Sequence, residues 1–107
     1  MTQVDLYAAL KTIGLPVAYG EFNSPAPAPP FITYQFAYSG DLMADNHNYL
    51  DISNYQVELY TTKKDPAAEK LLQDKLKELR LPYSKTGTYL ESEKLWQIIF
   101  EIQLIGG

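Results

Sequence analysis

The chain of 107 residues contains no cysteine and only one histidine, His47. Without cysteine it can form neither disulfides nor thiolate metal sites, a composition that fits a reducing compartment. The N-terminal stretch MTQVDLYAALKTIG lacks the basic start and apolar run of a signal peptide. No apolar stretch approaches the roughly 20 residues needed to span a bilayer. The sequence therefore predicts a soluble, cytoplasmic protein without a membrane partner.

Positive charge is scarce in the first part of the chain. Nine basic and thirteen acidic residues give a formal net charge of −4. The first 62 residues hold one lysine against six carboxylates, whereas residues 63–107 hold eight basic and seven acidic residues. Stable binding to a phosphate backbone normally requires a basic stripe, and the sequence shows none. We therefore expect no directed nucleic-acid binding.

Periodicity and capping signals predict two helices and several strands. Thr2 and Asp5 resemble a capping box for a helix over 2–13, and Asp65-Pro66 begins a second helix over 66–79. Strands are predicted at 31–40, 49–62, 82–91 and 94–105, with a candidate short edge strand at 17–22. The prolines of 23–30 predict an extended segment that straps across the domain or against a neighbour.

These elements predict one domain, 1–107, of the α+β class. We expect an antiparallel sheet of about four to five strands, covered on one face by two helices, in the order α-β-β-α-β-β. In the strand at 31–40, one face is predicted to carry Ile32, Tyr34, Phe36 and Tyr38. In the second helix, the inward face is predicted to carry Ala68, Leu71, Leu72, Lys75, Leu76 and Leu79.

The polar stretch MADNHNYLDISNY, residues 43–55, is the main candidate site. As a calcium loop counted from Asp45 it fails, because Leu50 and Gln56 stand where glycine and glutamate are required. A zinc site would need a second histidine or a cysteine. Asn, Asp and His are also typical of a turn between strands. We therefore predict a hairpin tip that makes subunit or partner contacts, formed by Asp41, Asp45, Asn46, His47, Asn48, Tyr49 and Asp51.

No pattern in the chain indicates catalysis. A serine nucleophile would have to use His47, yet no serine lies in a glycine-flanked elbow, and neither a GxGxxG motif nor a P-loop is present. We expect no enzyme activity, no cofactor and no metal. The nine tyrosines are more typical of a strand core or a protein interface than of base stacking, since no positive groove accompanies them.

Several ordered phrases together resemble one family. GLPVAYGEF, PPFITYQFAYS, ADNHNY, NYQVELYTTKKDP and YLESEKLWQIIFEI cover the chain nearly from Leu6 to Ile102. They resemble small proteins from the head–tail joining modules of long-tailed phages and prophages of Gram-positive bacteria. Such proteins are described as tail-completion, tail-terminator or head–tail connector proteins.

The resemblance implies a virion structural protein that assembles as a ring, usually hexameric, at the top of the tail tube. The implied partners are further copies of the chain, the tail tube protein and the head–tail connector or stopper, with double-stranded DNA passing through the lumen. The resemblance implies no catalytic residues, and the long hairpin loop of the family corresponds to residues 39–54. A stopper or tube-like subunit of the same joint stays open, as does a small prophage-encoded binding module acting on a host protein.

Overall fold

The strand predicted at 94–105 lies inside the main sheet, between two other strands. The computed structural model describes residues 1–40, 42–44 and 47–106, with 42–44 and 47–50 described by their backbone. Within these residues the elements are α1 (Gln3–Lys11), β1 (Val17–Tyr19), β2 (Phe31–Ser39), β3 (Leu42–Ala44), β4 (His47–Leu50), β5 (Ile52–Thr61), α2 (Pro66–Glu78), β6 (Ser84–Leu90) and β7 (Leu95–Ile105). The five-stranded sheet has the order β1-β2-β5-β7-β6, and β3 and β4 form a separate pair.

The predicted α+β class is confirmed, but the predicted element order α-β-β-α-β-β and the wholly antiparallel sheet are wrong. Five strands and not two lie between α1 and α2, because β1 and the β3–β4 pair are additional, and β1 pairs in parallel with β2, from Val17–Ile32 to Tyr19–Tyr34. A parallel pair needs a crossover of roughly a dozen residues. The proline-rich segment 20–30 provides that crossover, so the sheet is mixed.

Both helices begin at the predicted capping residues. The Thr2 hydroxyl accepts from the Asp5 amide at 3.1 Å, and the Asp5 carboxylate accepts from the Thr2 amide at 3.0 Å. That backbone hydrogen bond from Thr2 lowers the pKa of Asp5. In α2, the Asp65 carboxylate accepts from the Ala68 amide at 3.1 Å, directly before Pro66. Each cap satisfies an amide that the first helical turn leaves without a partner.

The core lies between one face of the sheet and the two helices. Tyr55 Oη donates to Gln3 Oε1 of α1 at 2.8 Å, and Lys85 of β6 pairs with Glu69 of α2, so both helices cover the same face. Phe100 is the largest fully buried side chain. The other fully buried side chains are Leu6, Leu10, Ile32, Leu59, Leu72, Leu76, Ile98, Leu104 and Val57.

Two predicted core positions are wrong, for different physical reasons. Leu71 is 50% exposed, because α2 directs the next residue, Leu72, into the core and thereby turns Leu71 toward solvent. Tyr38 leaves the face of Phe36, because a register shift between these two residues pairs Tyr38 with Asn54. An extra residue in one strand moves the following side chains to the opposite face.

Candidate functional site

The predicted hairpin is a distinct two-stranded element at the end of the β2–β5 ladder. That ladder ends with the pair Ser39–Ser53 and a bond from the Gly40 amide to the Ile52 carbonyl at 2.8 Å. Beyond it, β3 and β4 pair antiparallel from Leu42–Leu50 to Ala44–His47. We call residues 42–50 the distal hairpin. It extends the β2–β5 hairpin past the main sheet.

The seven residues predicted for the hairpin tip fall into three groups. Asp41, Asp45 and Asn46 lie outside the described residues. His47, Asn48 and Tyr49 belong to β4, and their backbone forms the second strand of the distal hairpin. Asp51 is exposed just before β5, and its carbonyl accepts from the Gly106 amide at 2.8 Å. The base of the distal hairpin is therefore tied to the end of β7, and the contact role of the tip stays a prediction.

The sheet face opposite the helices is polar, and we call it the polar face. The centre of this face carries Thr33, Gln35, Asn54, Gln56, Glu58, Tyr60, Gln97, Ile99, Glu101 and Gln103. Apolar or aromatic residues lie at its two ends: Phe31, Tyr38, Ile52, Leu95 and Ile105. Ser84, Thr86 and Thr88 of β6 continue the face. Among the described strand residues that point to this side there is no lysine or arginine. Its formal charge comes from Glu58 and Glu101.

Glu58 organises the centre of the polar face. Its carboxylate is nearly fully buried and accepts from Gln35 Nε2 at 3.1 Å, from Gln97 Nε2 at 2.9 Å and from Tyr60 Oη at 2.6 Å. Burial, together with the hydrogen bond and charge of Glu58, raises the pKa of Tyr60 to about 12. Charge-assisted bonds of this kind are strong in a low dielectric. The cluster fixes the amide side chains in place.

A second buried carboxylate joins α2 to its surroundings. Glu69 is only 3% exposed, and its oxygens contact Lys64 Nζ at 2.7 Å and Lys85 Nζ at 2.5 Å. Burial raises the pKa of Glu69, but the hydrogen bonds and charges of the two lysines outweigh burial and lower it overall. This ion cluster lies at the junction of a loop, a helix and an edge strand, so we assign it to stability.

Sequence analysis concentrated on the distal hairpin and did not identify the polar face as a surface. The signal was present, because alternate positions of β5 and β7 are polar. The burial of Glu69 could not be predicted locally, because only one of its two partners, Lys64, is near in the sequence and the other, Lys85, comes from a strand beyond α2.

The described residues contain no group of three or more histidine or acidic side chains able to hold a metal ion. Glu91 and Glu93, a carboxylate pair in the sequence, are exposed in the turn between β6 and β7. In the part of the chain that the structure describes, no helix has the length and apolar character to cross a membrane. No protein-family model matches the chain, and no curated protein matches it.

Proposed function

We propose that the protein is a structural subunit of a phage head–tail joint. It assembles as a ring, six copies in the arrangement that the family resemblance implies, caps the tail tube and joins it to the head connector or stopper. Double-stranded DNA passes through the lumen. The proposal rests on the ordered phrases between Leu6 and Ile102 and on the two surfaces described above, the polar face and the distal hairpin.

The polar face is the observation that carries the proposal. A conduit for DNA must not bind the phosphate backbone, and affinity for that backbone comes from lysine and arginine. The described strands direct neither residue to this face, while Glu58 and Glu101 give it negative charge. Its remaining polar groups are mainly amides and hydroxyls. Such a surface suits the lumen of a ring through which DNA moves.

The distal hairpin supports the same proposal. A single two-stranded hairpin is at best marginally stable by itself. Contact with another subunit or with the tail tube would stabilise it. In this account the predicted residues Asp41, Asp45, Asn46, His47, Asn48, Tyr49 and Asp51 form that contact.

A second candidate function is a binding module that acts on a host protein. The observation that favours it is a pair of exposed aromatic side chains at the β1–β2 edge, Tyr19 and Phe36, which lie on the same face of the sheet. Aromatic residues are enriched in protein interfaces. Affinity purification from host lysate separates the two functions. One stoichiometric host protein without virion proteins would favour the binding module.

The ring proposal is tested by shortening the distal hairpin. Replacing residues 43–48 with Asn-Gly, a two-residue turn, should leave the thermal unfolding midpoint nearly unchanged, because the core that the described side chains form comes from the two helices and the five-stranded sheet. Co-sedimentation with purified tail tubes should fall sharply. A matched control is Glu93→Gln, in the exposed turn at the β6–β7 connection. If the shortened protein unfolds, the hairpin contributes to the core. If its co-sedimentation with tail tubes is unchanged, the hairpin does not make the proposed contact.

A further inference from the structure

The end of the main sheet nearest the distal hairpin is only three strands wide. On one side, β1 pairs only with residues 32–34 of β2. On the other side, the ladder between β6 and β7 ends at the pair Ser84–Glu101. Beyond that pair, residues 102–105 of β7 have a described strand partner on one side only, which is β5. Within the described chain, the opposite edge of residues 102–105 is therefore open.

A groove of about 560 Å³ lies along this open edge of β7. The Gly106 amide donates to the Asp51 carbonyl at 2.8 Å, on the β5 side. Because peptide groups alternate in direction along a strand, Gln103 and Ile105 direct their N–H and C=O groups to the other side, where the groove lies. The loop 81–83, between α2 and β6, also lines it. The groove thus presents strand-edge groups that no described strand pairs, and such groups are a template for pairing with another chain.

Two cations without a described ion pair lie beside this groove, at the C-terminal end of α2. Arg80 lines the groove itself, and Lys77 lines an adjoining groove that shares the residues from Arg80 to Tyr83. Among the described residues neither cation lies in a salt bridge, whereas the other two lysines of α2 each contact a carboxylate. The acidic residue that lines the groove is Glu101, on the polar face. A segment that binds here should therefore offer a strand edge and carry negative charge toward Arg80.

The distal hairpin has this complementary chemistry. Asp45 lies within its sequence, Asp41 and Asp51 flank it, and no lysine or arginine occurs from residue 12 to residue 62. In the part of the chain that the structure describes, β3 and β4 pair only with each other, so each has an outer edge of three or four residues. That length matches the open edge of β7 at residues 102–105.

We propose that the groove beside β7 receives the distal hairpin of a second copy of this chain. An outer edge of the hairpin pairs with the outward groups of Gln103 and Ile105, a case of strand addition, and its carboxylates face Arg80 and Lys77. The hairpin enters from the open end of the sheet, where neither β1 nor β6 extends, and stops before Ser84. Because the hairpin projects past its own main sheet, the other strands of the second copy stay clear of the groove.

The inference rests on the proposed function in taking a second copy as the occupant. Hairpin and groove are different surfaces, so the contact is heterologous, and a heterologous contact that closes gives a ring. If two copies exchanged their hairpins reciprocally, association would end at a dimer. The size of the cross-linked species therefore separates the docking of the hairpin from the formation of a ring.

The absence of cysteine allows a direct test by disulfide cross-linking. Gln103→Cys places a thiol in the groove, and Asn46→Cys places one in the hairpin. After mild oxidation at high protein concentration, with and without purified tail tubes, a mixture of the two variants should give a cross-linked dimer. Cross-linking of either variant with itself, without the mixed dimer, would overturn the docking. A disulfide within one chain of the dilute double variant would also overturn it, because the hairpin would then fill the groove of its own copy.

The double variant and the wild type distinguish the docking from the proposed function. A ladder of cross-linked species larger than a dimer supports both. Dimers alone would support the docking and contradict the ring. If no mixed cross-link forms while the wild type still assembles on tail tubes, the docking fails and the proposed function stands. If the wild type stays monomeric even on tail tubes, the proposed function fails.

An exchange of charges tests how the hairpin is recognised. By native mass spectrometry, Arg80→Glu and Asp45→Arg should each weaken self-association at least about threefold, the effect of losing one exposed ion pair. The two substitutions combined in one chain should recover most of that loss. The matched control is Lys63→Glu, at an exposed lysine beyond the opposite end of β5, which should leave self-association unchanged. Equal effects of Arg80→Glu and Lys63→Glu, without recovery in the combined variant, would overturn the proposal.

Discussion

Replacement of Glu69 by glutamine tests the reasoning about the buried ion cluster. The carboxylate is 3% exposed and holds Lys64 at 2.7 Å and Lys85 at 2.5 Å. It thereby ties α2 to the preceding loop and to β6. Glu69→Gln keeps the size of the side chain but removes the charge, and its amide presents donors to one of the two lysines.

The magnitude follows from how much of the cluster is buried. Removing one partner of a fully buried ion pair costs about 3–5 kcal/mol, because the other charge stays buried. Here the side chains of Lys64 and Lys85 are 55% and 35% exposed, so water solvates much of the charge that is left. Exposed pairs contribute up to about 1 kcal/mol. We therefore expect Glu69→Gln to lower the free energy of unfolding by about 1–3 kcal/mol.

Urea denaturation followed by the fluorescence of Trp96, the single tryptophan, measures this change. With a slope of about 1–3 kcal/mol per M for a small protein, the midpoint should fall by about 1 M at neutral pH. The matched control is Asp74→Asn, which breaks an exposed pair with Lys70 and should shift the midpoint far less. Equal midpoints for the Glu69→Gln and Asp74→Asn variants would refute the reasoning.

The difference in stability between wild type and Glu69→Gln should depend on pH, and the pKa of Glu69 gives the direction. The two lysines hold the pKa of Glu69 below its ordinary value of 4.5 in the folded protein, against the effect of burial. The stabilisation is therefore fully present above pH 4.5 and is lost as the pH falls through the lowered pKa. The difference in stability between wild type and Glu69→Gln should shrink over that range. A difference that stays constant down to low pH would contradict the assignment.

Two further predictions test the core and the polar face. Leu72→Ala should lower the free energy of unfolding by about 2–5 kcal/mol, whereas Leu71→Ala, at a half-exposed position, should cost about 1 kcal/mol or less in the same urea experiment. Similar losses would place Leu71 in the core. Burial and Glu58 raise the pKa of Tyr60 to about 12, and burial also raises the pKa values of Tyr34 and Tyr55. The ultraviolet titration should therefore show a late tyrosine step whose amplitude falls in Tyr60→Phe, and the stability associated with Tyr60, present below pH 10, should be lost as the pH rises through about 12. A late step of unchanged amplitude in Tyr60→Phe would contradict the assignment.

Local signals predicted much of the fold. Asp65-Pro66 marked the start of α2 because a carboxylate cap and a proline at the first helical position leave few other conformations. The strand predicted at 94–105 corresponds to β7, whose alternating residues such as Phe100 pack into the core on one face. The distal hairpin followed from polar turn residues between two alternating segments.

The errors arose where distant parts of the chain decide the outcome. The parallel pairing of β1 with β2 depends on a crossover of eleven residues, 20–30, whose path no local pattern specifies. The face of Tyr38 depends on one extra residue in β2, and neither Ala37 nor its neighbours show this in the sequence. The narrowing of the sheet to three strands near the distal hairpin depends on the registers of β1 and β6, so sequence alone could not predict it.

Electron cryo-microscopy of phage particles, or of purified tails, from cells that carry the gene for this chain tests the proposed ring at the head–tail joint most directly. We expect a ring of density with this fold between the tail tube and the head connector, with the polar face toward the lumen. Absence of the chain from mature particles would contradict the account and direct the search to host partners.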